Sequence, residues 1–281
     1  MDRVNLKKSF RYLSVLVILI SFILIIIWSF VLEPELIRVK NISVNIPNWH
    51  NEHKDLKIAV LSDFHIGFGH MDRKRLAEII KIANSKDPDL VFLLGDYVNV
   101  SAENEKYLSY LEDFKNFRAK YGVFAVLGNH ESWEVRHKIR YFIKKAGVNI
   151  LENRAEKKTI NDKSFWIAGI EDLNTGYPDL KRVMHQIKNK KEPVLLLSHN
   201  PDIFEQVPER ISLTLAGHTH GGQIYVPFLV RLLTPSRFGK KFLKGHVVQD
   251  GRHIFISSGL GTTILPARFL VPPEIVILKL E

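Results

Sequence analysis

Apolar residues recur along this chain as short runs that stop at glycine or polar residues. Five such runs occupy residues 56–62, 90–94, 123–127, 194–198 and 213–216. Apolar runs of about four to eight residues, bounded by turn signals, are typical of strands buried on both faces of a sheet. The pattern therefore predicts interior strands at these positions.

Helical periodicity follows the first three runs. Amphipathic segments cover about residues 73–83, 103–117 and 133–145, and Asp72 stands before the first of them as a helix cap. The alternation of strand, polar loop and helix predicts a largely parallel sheet with covering helices, which is an α/β fold.

The second half of the chain is richer in strands. Residues 158–160 and 165–170 flank a turn at Asn161 and Asp162 and predict a hairpin. The remaining predicted elements are a helix over 178–187 and strands over 253–257 and 274–280.

The amino terminus has a different pattern. Residues 13–32 contain no charged side chain and are almost wholly apolar. A helix of about 20 such residues spans a bilayer, whereas a secretory signal has a shorter apolar core and a small-residue cleavage site. We therefore expect a retained transmembrane anchor, with a buried core helix as the alternative.

The distribution of charge around the apolar span predicts its orientation. The basic side chains that precede it are Arg3, Lys7, Lys8 and Arg11. By the positive-inside bias, the amino terminus lies in the cytoplasm and the rest of the chain outside the cell membrane. The predicted parts are a cytoplasmic basic tail (1–12), a transmembrane anchor (13–32), a linker with an edge strand (33–54) and a folded domain (55–281).

Composition narrows the chemistry that this folded domain can perform. The chain has 281 residues, a net charge of +10 and no cysteine. A basic protein favours an anionic partner, which leaves nucleic acid, an anionic membrane surface or an anionic substrate. The lack of cysteine excludes disulfides, thiolate nucleophiles and cysteine metal sites.

Histidine and carboxylate side chains cluster at the ends of the predicted strands. They stand in five separate loops: Asp63, His65, Asp96, Asn129, His130, His199, His218 and His220. In α/β sheets, ligands bind at the carboxyl ends of the strands. One such histidine is usually an ordinary polar loop residue, but five loops with the same feature indicate a common site.

These residue types suit a pair of transition-metal ions. Imidazole and carboxylate ligands accept Mn, Fe or Zn. Two such ions, bridged by a carboxylate, lower the pKa of a bridging water and clamp the attacking and leaving oxygens of an in-line displacement at phosphorus. The residues therefore predict two divalent metal ions and hydrolysis of a phosphoester.

The order of these residues resembles the calcineurin-like metallophosphoesterase superfamily, whose blocks are D-x-H, G-D, G-N-H-[ED], H and G-H-x-H. The matching blocks are Asp63-Phe64-His65, Gly95-Asp96, Gly128-Asn129-His130-Glu131, His199 and Gly217-His218-Thr219-His220. The resemblance covers about residue 55 to the end. It implies an α/β/β/α sandwich, here preceded by one transmembrane helix.

The resemblance also implies a role for each site residue. The implied ligands of the first metal are Asp63, His65, Asp96 and His220, and those of the second are Asp96, Asn129, His199 and His218. Asp96 would bridge the two ions. His130 is the implied catalytic residue, which donates a proton to the leaving oxygen or stabilises the phosphoryl oxygens.

A narrower resemblance is to a bacterial membrane-associated phosphodiesterase subgroup, similar to hydrolases of UDP-2,3-diacylglucosamine. It depends on the anchor, on residues 217–223, and on residues 258–261 with 272–275. It implies a membrane-anchored phosphodiesterase or pyrophosphatase that acts on a lipid-linked or nucleotide-linked substrate. A glycolipid precursor is one candidate for that substrate. The basic segment 231–244 would then contact lipid headgroups or a diphosphate, or else form a solvated face.

Two other functions remain open at this point. A nuclease is consistent with the basic charge, but the chain lacks the interleaved aromatic and basic residues that single-strand binding uses, and a bilayer anchor suits lipids better. A non-catalytic scaffold of the same fold need not keep His130 together with all its neighbours. The identity of the metal, the natural substrate and the oligomeric state are not predicted.

Overall fold

A computed structural model of the chain describes residues 3–99, 105–131, 133–189, 191–227, 230 and 234–281. Within them, two six-stranded sheets lie face to face, and helices cover their outer faces. The architecture is therefore an α/β/β/α sandwich, and the predicted fold class is confirmed.

The elements are numbered in chain order. The helices are α1 (Arg3–Ile27), α2 (Arg73–Asn84), α3 (Glu105–Ser109), α4 (Trp133–Lys145) and α5 (Leu180–Gln186). The strands are β1 (Arg38–Val44), β2 (Ile58–Leu61), β3 (Leu90–Leu93), β4 (Val123–Ala125), β5 (Asn149–Ile150), β6 (Arg154–Ile160), β7 (Lys163–Gly169), β8 (Val194–Leu197), β9 (Leu213–Ala216), β10 (Gly245–Gln249), β11 (Arg252–Ile256) and β12 (Glu274–Leu280).

The two sheets have similar plans. The first has the order β1-β12-β2-β3-β4-β5 and the second β10-β11-β9-β8-β7-β6. Strands β2 to β5 are parallel to one another, and so are β7, β8, β9 and β11. Antiparallel pairs occur at β12 with β2 and at the β6–β7 and β10–β11 hairpins.

The inner strands β2, β3 and β8 are apolar throughout because both of their faces are buried. In β2, Ile58 and Val60 pack into the core between the two sheets, whereas Ala59 and Leu61 pack against the helices of the outer layer. Side chains of a strand alternate between its two faces. Uninterrupted apolar runs are therefore the correct signal for these strands.

The helix predicted over about 103–117 takes a different form. Its first two residues lie outside the described part of the chain; α3 covers Glu105–Ser109 and a 3₁₀ turn continues over Tyr110–Asn116. Its buried residues recur at every third position: Leu108, Leu111, Phe114 and Phe117. That period matches the three residues per turn of a 3₁₀ helix better than the α-helical repeat, so the prediction of one α-helix is corrected here.

The sequence pattern does not predict strands β5 and β10 or the direction of strand β12. Strand β5 has only two residues, and β10 alternates between exposed and half-buried positions, so neither forms an apolar run. The apolar pattern predicts strand β12 but not its place between β1 and β2 or its antiparallel direction relative to β2. Its partners are far away in sequence, and local periodicity carries no information about them.

The N-terminal helix meets the requirements for a membrane span by length and composition. The span covers Phe10–Glu35 with a mean hydropathy of 3.2, and only 6% of its most apolar window is buried by the rest of the chain. After α1, the helix continues as a π-helical turn over Trp28–Leu32 and a 3₁₀ turn over Glu33–Glu35.

The end of this helix is fixed to the folded domain by specific contacts. The buried Glu33 carboxylate accepts hydrogen bonds from the backbone N–H groups of Leu270 and Val271, at 2.9 and 2.6 Å. His70 lies 2.6 Å from the Glu35 carboxylate and 2.8 Å from the Phe30 carbonyl oxygen. The helix therefore enters the domain at a defined place rather than through a free linker.

Candidate metal centre

The polar residues predicted to form a site converge at one end of the sandwich. Asp63 and His65 follow β2, Asp96 follows β3, Asn129 and His130 follow β4, His199 follows β8, and His218 and His220 follow β9. Parallel strands end at the same edge of a sheet, and strands of both sheets contribute here. The structure thus brings together all eight side chains that the sequence singled out.

Asp63, His65 and His220 form a first group of potential metal ligands. Their ligand atoms all lie within 4.8 Å of one another. The Nε2 atoms of His65 and His220 are 3.1 Å apart, and Nε2 of His220 is 3.7 Å from Oδ1 of Asp63. All three side chains are buried, so water cannot easily satisfy them.

Asp96, His199 and His218 form a second group with the same spacing limit of 4.8 Å. Nε2 of His199 lies 3.2 Å from Oδ2 of Asp96 and 3.1 Å from Nδ1 of His218. The amide oxygen of Asn129 completes this group at 3.1 Å from Nε2 of His199.

Asp96 lies between the two groups. Its Oδ2 atom is 3.7 Å from Nε2 of His65, in the first group, and 3.2 Å from Nε2 of His199, in the second. Its Oδ1 atom accepts the backbone N–H of His130 at 2.9 Å. One carboxylate is therefore positioned to contact ions in both groups.

His130 differs from the other histidines in its exposure. Its side chain is 21% exposed, and Nε2 lies 4.0 Å from Oδ2 of Asp96. Its ring meets the His65 ring edge-on, with ring centroids 4.6 Å apart. His130 consequently borders the site on the side that is open to solvent.

Neighbouring groups orient the ligands. Nδ1 of His199 donates to the Leu94 carbonyl oxygen at 2.7 Å, which leaves Nε2 free to bind a cation. The buried Glu131 carboxylate accepts the backbone N–H groups of Asp96, Tyr97 and Gly128, at 2.9, 2.8 and 2.6 Å. Glu131 therefore holds the loops after β3 and β4 in a fixed relation.

Many of the site residues have an unusual backbone conformation. Positive φ angles occur at Asp63 (53°), His65 (49°), Asp96 (54°), His218 (71°) and His220 (52°). Residues other than glycine rarely adopt this left-handed conformation, and it persists only where the surrounding structure enforces it. Strain concentrated on these five residues is typical of a functional site.

Gly128 allows the two central loops to approach each other. A Cβ atom at this position would overlap Oδ1 of Asp96 and would lie 2.9 Å from Cγ of His199. Its φ angle is not positive, so the requirement here is for space and not for backbone freedom.

Burial keeps three of the histidines neutral. It lowers the pKa of His65 to about 3 and that of His218 to about 4, and it lowers the pKa of His220 well below its usual value. A neutral imidazole has a lone pair available for a metal ion.

The two carboxylates respond differently to the same burial. Burial raises the pKa of Asp63 to about 6. Burial also opposes charge on Asp96 and on His199, but their close contact outweighs it, so the pKa of Asp96 is well below its usual range and that of His199 well above. A bound cation would take the place of the proton that this pair shares.

The donor set fits divalent cations. The buried Nδ1 atoms of His65 and His220 have no hydrogen-bond partner among the described residues, while their Nε2 atoms face each other and nearby carboxylates. Lone pairs that converge in this way repel each other unless a cation lies among them. Nitrogen and oxygen ligands of this kind suit Mn, Fe or Zn.

A pocket of about 330 Å³ opens onto this centre. Its inner end is lined by Asp96, Asn129 and the histidines at 130, 218 and 220. Its outer end is lined by apolar side chains, namely Ile224, Pro235, Ile264 and Leu265. A ligand that fills it would be polar at one end and apolar at the other.

Periodicity and motifs in the sequence do not reveal the residues that form this outer end. Gln223 ends the motif at residues 217–223, and its side chain bonds to the backbone of Thr263 and Leu265 at 2.9–3.0 Å. The fully buried Arg268 donates to the carbonyl oxygens of Ser258, Gly261 and Val271. A lone arginine in an irregular segment carries no periodic signal that would reveal its burial.

Comparison with known proteins agrees with this geometry. The chain is 32% identical over 234 residues to an uncharacterised metallophosphoesterase of Aquifex aeolicus, a match that covers 81% of this chain and 85% of the relative. It is 30% identical to the phosphodiesterase YaeI of Escherichia coli, covering 80% of this chain and 82% of the relative. The metallophosphoesterase YkuE of Bacillus subtilis is 28% identical, with 89% and 87% covered.

A solved structure supports the fold. The NAD nucleotidase of Haemophilus influenzae superposes with a TM-score of 0.50 at 14% identity, covering 73% of this chain and 45% of that one. The family model for calcineurin-like phosphoesterases matches residues 56–222, which include every residue of the centre. The chain therefore belongs to the calcineurin-like phosphoesterase family and is a metal-dependent phosphoester hydrolase.

Proposed function

We propose that this protein is a membrane-anchored phosphodiesterase that uses two divalent metal ions to hydrolyse a lipid-linked or nucleotide-linked phosphodiester or diphosphate. The observation that carries the proposal is the position of Asp96, whose Oδ2 atom lies 3.7 Å from His65 and 3.2 Å from His199. One carboxylate shared by two ligand groups is the arrangement that a pair of bridged metal ions requires.

The proposed ligands fall into two groups, one for each ion. The first ion would be held by Asp63, His65, Asp96 and His220, and the second by Asp96, Asn129, His199 and His218. Two divalent ions bound there would lower the pKa of a bound water and neutralise charge on the phosphoryl group. The amide of Asn129 contributes an oxygen ligand without adding negative charge, which favours an anionic substrate.

His130 is the proposed catalytic residue. It borders the pocket, and its backbone N–H is fixed to Asp96 at 2.9 Å. Its ring would then lie beside the phosphoryl group of a substrate. The ligand atoms of His65, Asp96 and His130 also lie within 4.8 Å of one another, but we assign His130 to proton transfer because it is the most exposed of the site histidines. From there it can donate a proton to the leaving oxygen.

The membrane location rests on the N-terminal helix. We assign residues 1–12 to a cytoplasmic tail, 13–32 to the anchor and 55–281 to an extracytoplasmic catalytic domain. Residues 33–54 connect them, and β1 within this segment pairs with β12 of the first sheet. Since the helix end is bonded to the domain, the pocket would stay close to the membrane surface, where lipid-linked phosphates are found.

The first test is hydrolysis of bis(p-nitrophenyl) phosphate and p-nitrophenyl phosphate by the full chain in detergent micelles. We expect EDTA to abolish cleavage of the diester, Mn²⁺ to restore it, and the monoester to be a poor substrate. Cleavage of duplex or single-stranded DNA at a higher rate than the diester would instead favour a nuclease. Bound metal without cleavage of any phosphoester would contradict the proposed activity.

Replacement of the shared carboxylate tests the two-metal arrangement. Asp96→Ala should abolish turnover and reduce the metal content of both groups, because both lose a ligand. Metal content by inductively coupled plasma mass spectrometry and the diesterase rate are the two measurements. Asp113→Ala, which removes a half-buried carboxylate that pairs with Arg73 and not with the centre, is the control and should keep the metal content and diesterase rate of wild type. A fully active Asp96→Ala protein would exclude a bridging role.

His130→Ala separates proton transfer from metal binding. We expect the variant to keep both metal ions and to lose about 10²- to 10⁴-fold in kcat for the diester, the usual effect of removing a general acid. If metal content falls in parallel with the rate, His130 is a ligand and its assignment as the catalytic acid is wrong.

Gly128→Ala tests whether the close approach of the loops matters for metal binding. The new methyl group would overlap the Asp96 carboxylate, so metal affinity should fall by on the order of 10- to 100-fold. Gly147→Ala is the control: it has open space but a φ of +79°, so it should cost about 1 kcal/mol of stability and leave metal affinity unchanged. Equal metal affinity in both variants would show that the space at Gly128 is not needed.

A further inference from the structure

The segment between the last two strands has an unusual concentration of exposed apolar side chains. We call residues 258–271 the C-terminal loop. Beyond residue 36 of the described chain, the exposed large hydrophobic side chains are Tyr141, Tyr177, Phe238, Val248, Ile264, Leu265 and Leu270. Three of these seven lie in one seven-residue stretch of the C-terminal loop, residues 264–270. Ile264 is the most exposed of them, at 88%.

The exposure of these side chains is enforced by the backbone. Ile264 has a φ of 63° and Leu270 a φ of 60°, both in the left-handed region. For a β-branched residue such as Ile264 this conformation is a genuine outlier and is held only by surrounding structure. Gln223 supplies that structure, since its side chain bonds to the residues on both sides of Ile264.

The same loop is tied to the end of the apolar helix. The backbone N–H of Arg268 donates to the Ser29 carbonyl oxygen at 2.8 Å, and the Glu33 carboxylate accepts the N–H groups of Leu270 and Val271. Ser29 lies within the uncharged run, three residues before its last residue, Leu32. The loop therefore lies level with the point at which the helix would leave the hydrocarbon layer.

The loop is also tied to the metal centre. Gln223, which clamps Ile264, follows the ligand His220 by three residues, and its carbonyl oxygen accepts the Phe269 N–H at 2.9 Å. Ile264 and Leu265 then form part of the apolar outer end of the pocket. One hydrogen-bonded segment thus connects the helix, the candidate active site and an exposed apolar tip formed by Ile264, Leu265 and Leu270.

A basic side chain is connected through Tyr225 to Phe269, which precedes Leu270 of the tip. The ammonium group of Lys244 lies 5.1 Å from the ring centroid of Tyr225, and the backbone N–H of Tyr225 donates to the Phe269 carbonyl oxygen at 2.8 Å. An apolar tip beside a cation is the combination by which proteins bind the interface of an anionic bilayer.

From these contacts we infer that the apolar tip of the C-terminal loop (Ile264, Leu265 and Leu270) lies in the bilayer interface beside α1. The hydrocarbon end of a lipid phosphodiester reaches the metal centre over this tip. This inference rests on the proposed function, because it takes α1 as the membrane anchor, and it narrows the substrate to one with hydrocarbon next to the scissile phosphate. A nucleotide without a lipid would leave the apolar end of the pocket unfilled.

The position of the tip can be measured because the chain contains no cysteine. Ile264→Cys, labelled with a nitrobenzoxadiazole fluorophore, is reconstituted as the full chain in phosphatidylglycerol vesicles that carry doxyl-labelled lipid. Tyr141→Cys is the control: it is 60% exposed and lies on α4, which packs against β5 at the opposite edge of the first sheet from β1. We expect lipid quenching at position 264 to be at least about threefold stronger than at position 141, with a blue-shifted emission.

Equal quenching at the two positions would overturn the inference. A carbonate wash of the same vesicles distinguishes this result from failure of the proposed function. Protein that is washed off lacks a membrane anchor, which contradicts the proposed function itself. Protein that stays in the vesicles with an unquenched label at position 264 contradicts only the position of the loop.

The route of the substrate has its own test. The ratio of kcat/KM for hexadecyl p-nitrophenyl phosphate to that for ethyl p-nitrophenyl phosphate is measured for the full chain in mixed micelles. Ile264→Ser should lower this ratio about tenfold, because apolar contact with the long chain is lost. Tyr141→Ser should leave the ratio unchanged. An unchanged ratio in Ile264→Ser would exclude the tip as the binding surface for hydrocarbon.

Discussion

The position of one buried carboxylate determines how the centre is built. Asp96 contacts His65 on one side and His199 on the other, and its second oxygen accepts the N–H of His130. A buried carboxylate is stable only if its charge is compensated. The left-handed backbone at five of the site residues and the lack of a side chain at Gly128 allow the compensating groups to come close to this carboxylate.

The candidate ligands follow strands of two different sheets, so their arrangement depends on how the two sheets pack. Strands β2, β3 and β4 end on one side of the inter-sheet core, and β8 and β9 end on the other. The core between them consists of buried apolar side chains, and close packing of such a core fixes the distance between the two sets of loops. Glu131 adds a direct connection within the first set through its three backbone hydrogen bonds. Rigid packing of this kind gives metal ligands their geometry before an ion binds.

The C-terminal loop connects the candidate metal centre to the apolar helix. Gln223 bonds the C-terminal loop to the segment that follows His220, and Glu33 bonds it to the helix end. The buried Arg268 donates hydrogen bonds to three carbonyl oxygens within the loop. Each of these polar groups is buried or partly buried and satisfied by backbone atoms, which an irregular loop needs in order to keep one conformation. The orientation of the pocket relative to the helix is therefore a property of the folded chain.

The sequence by itself determined most of the strands that are buried on both faces, the apolar span and the eight side chains that converge at the candidate metal centre. Each of these has a local signal: an apolar run, a run without charge, or a polar residue directly after a strand. The tertiary structure alone decided that β12 lies between β1 and β2, that residues 110–116 form a 3₁₀ turn, and that the C-terminal loop joins the helix to the site. These features depend on contacts such as that between Glu33 and Val271, which are 238 residues apart. Such pairings are set by packing and hydrogen bonding in three dimensions, and periodicity along the chain does not encode them.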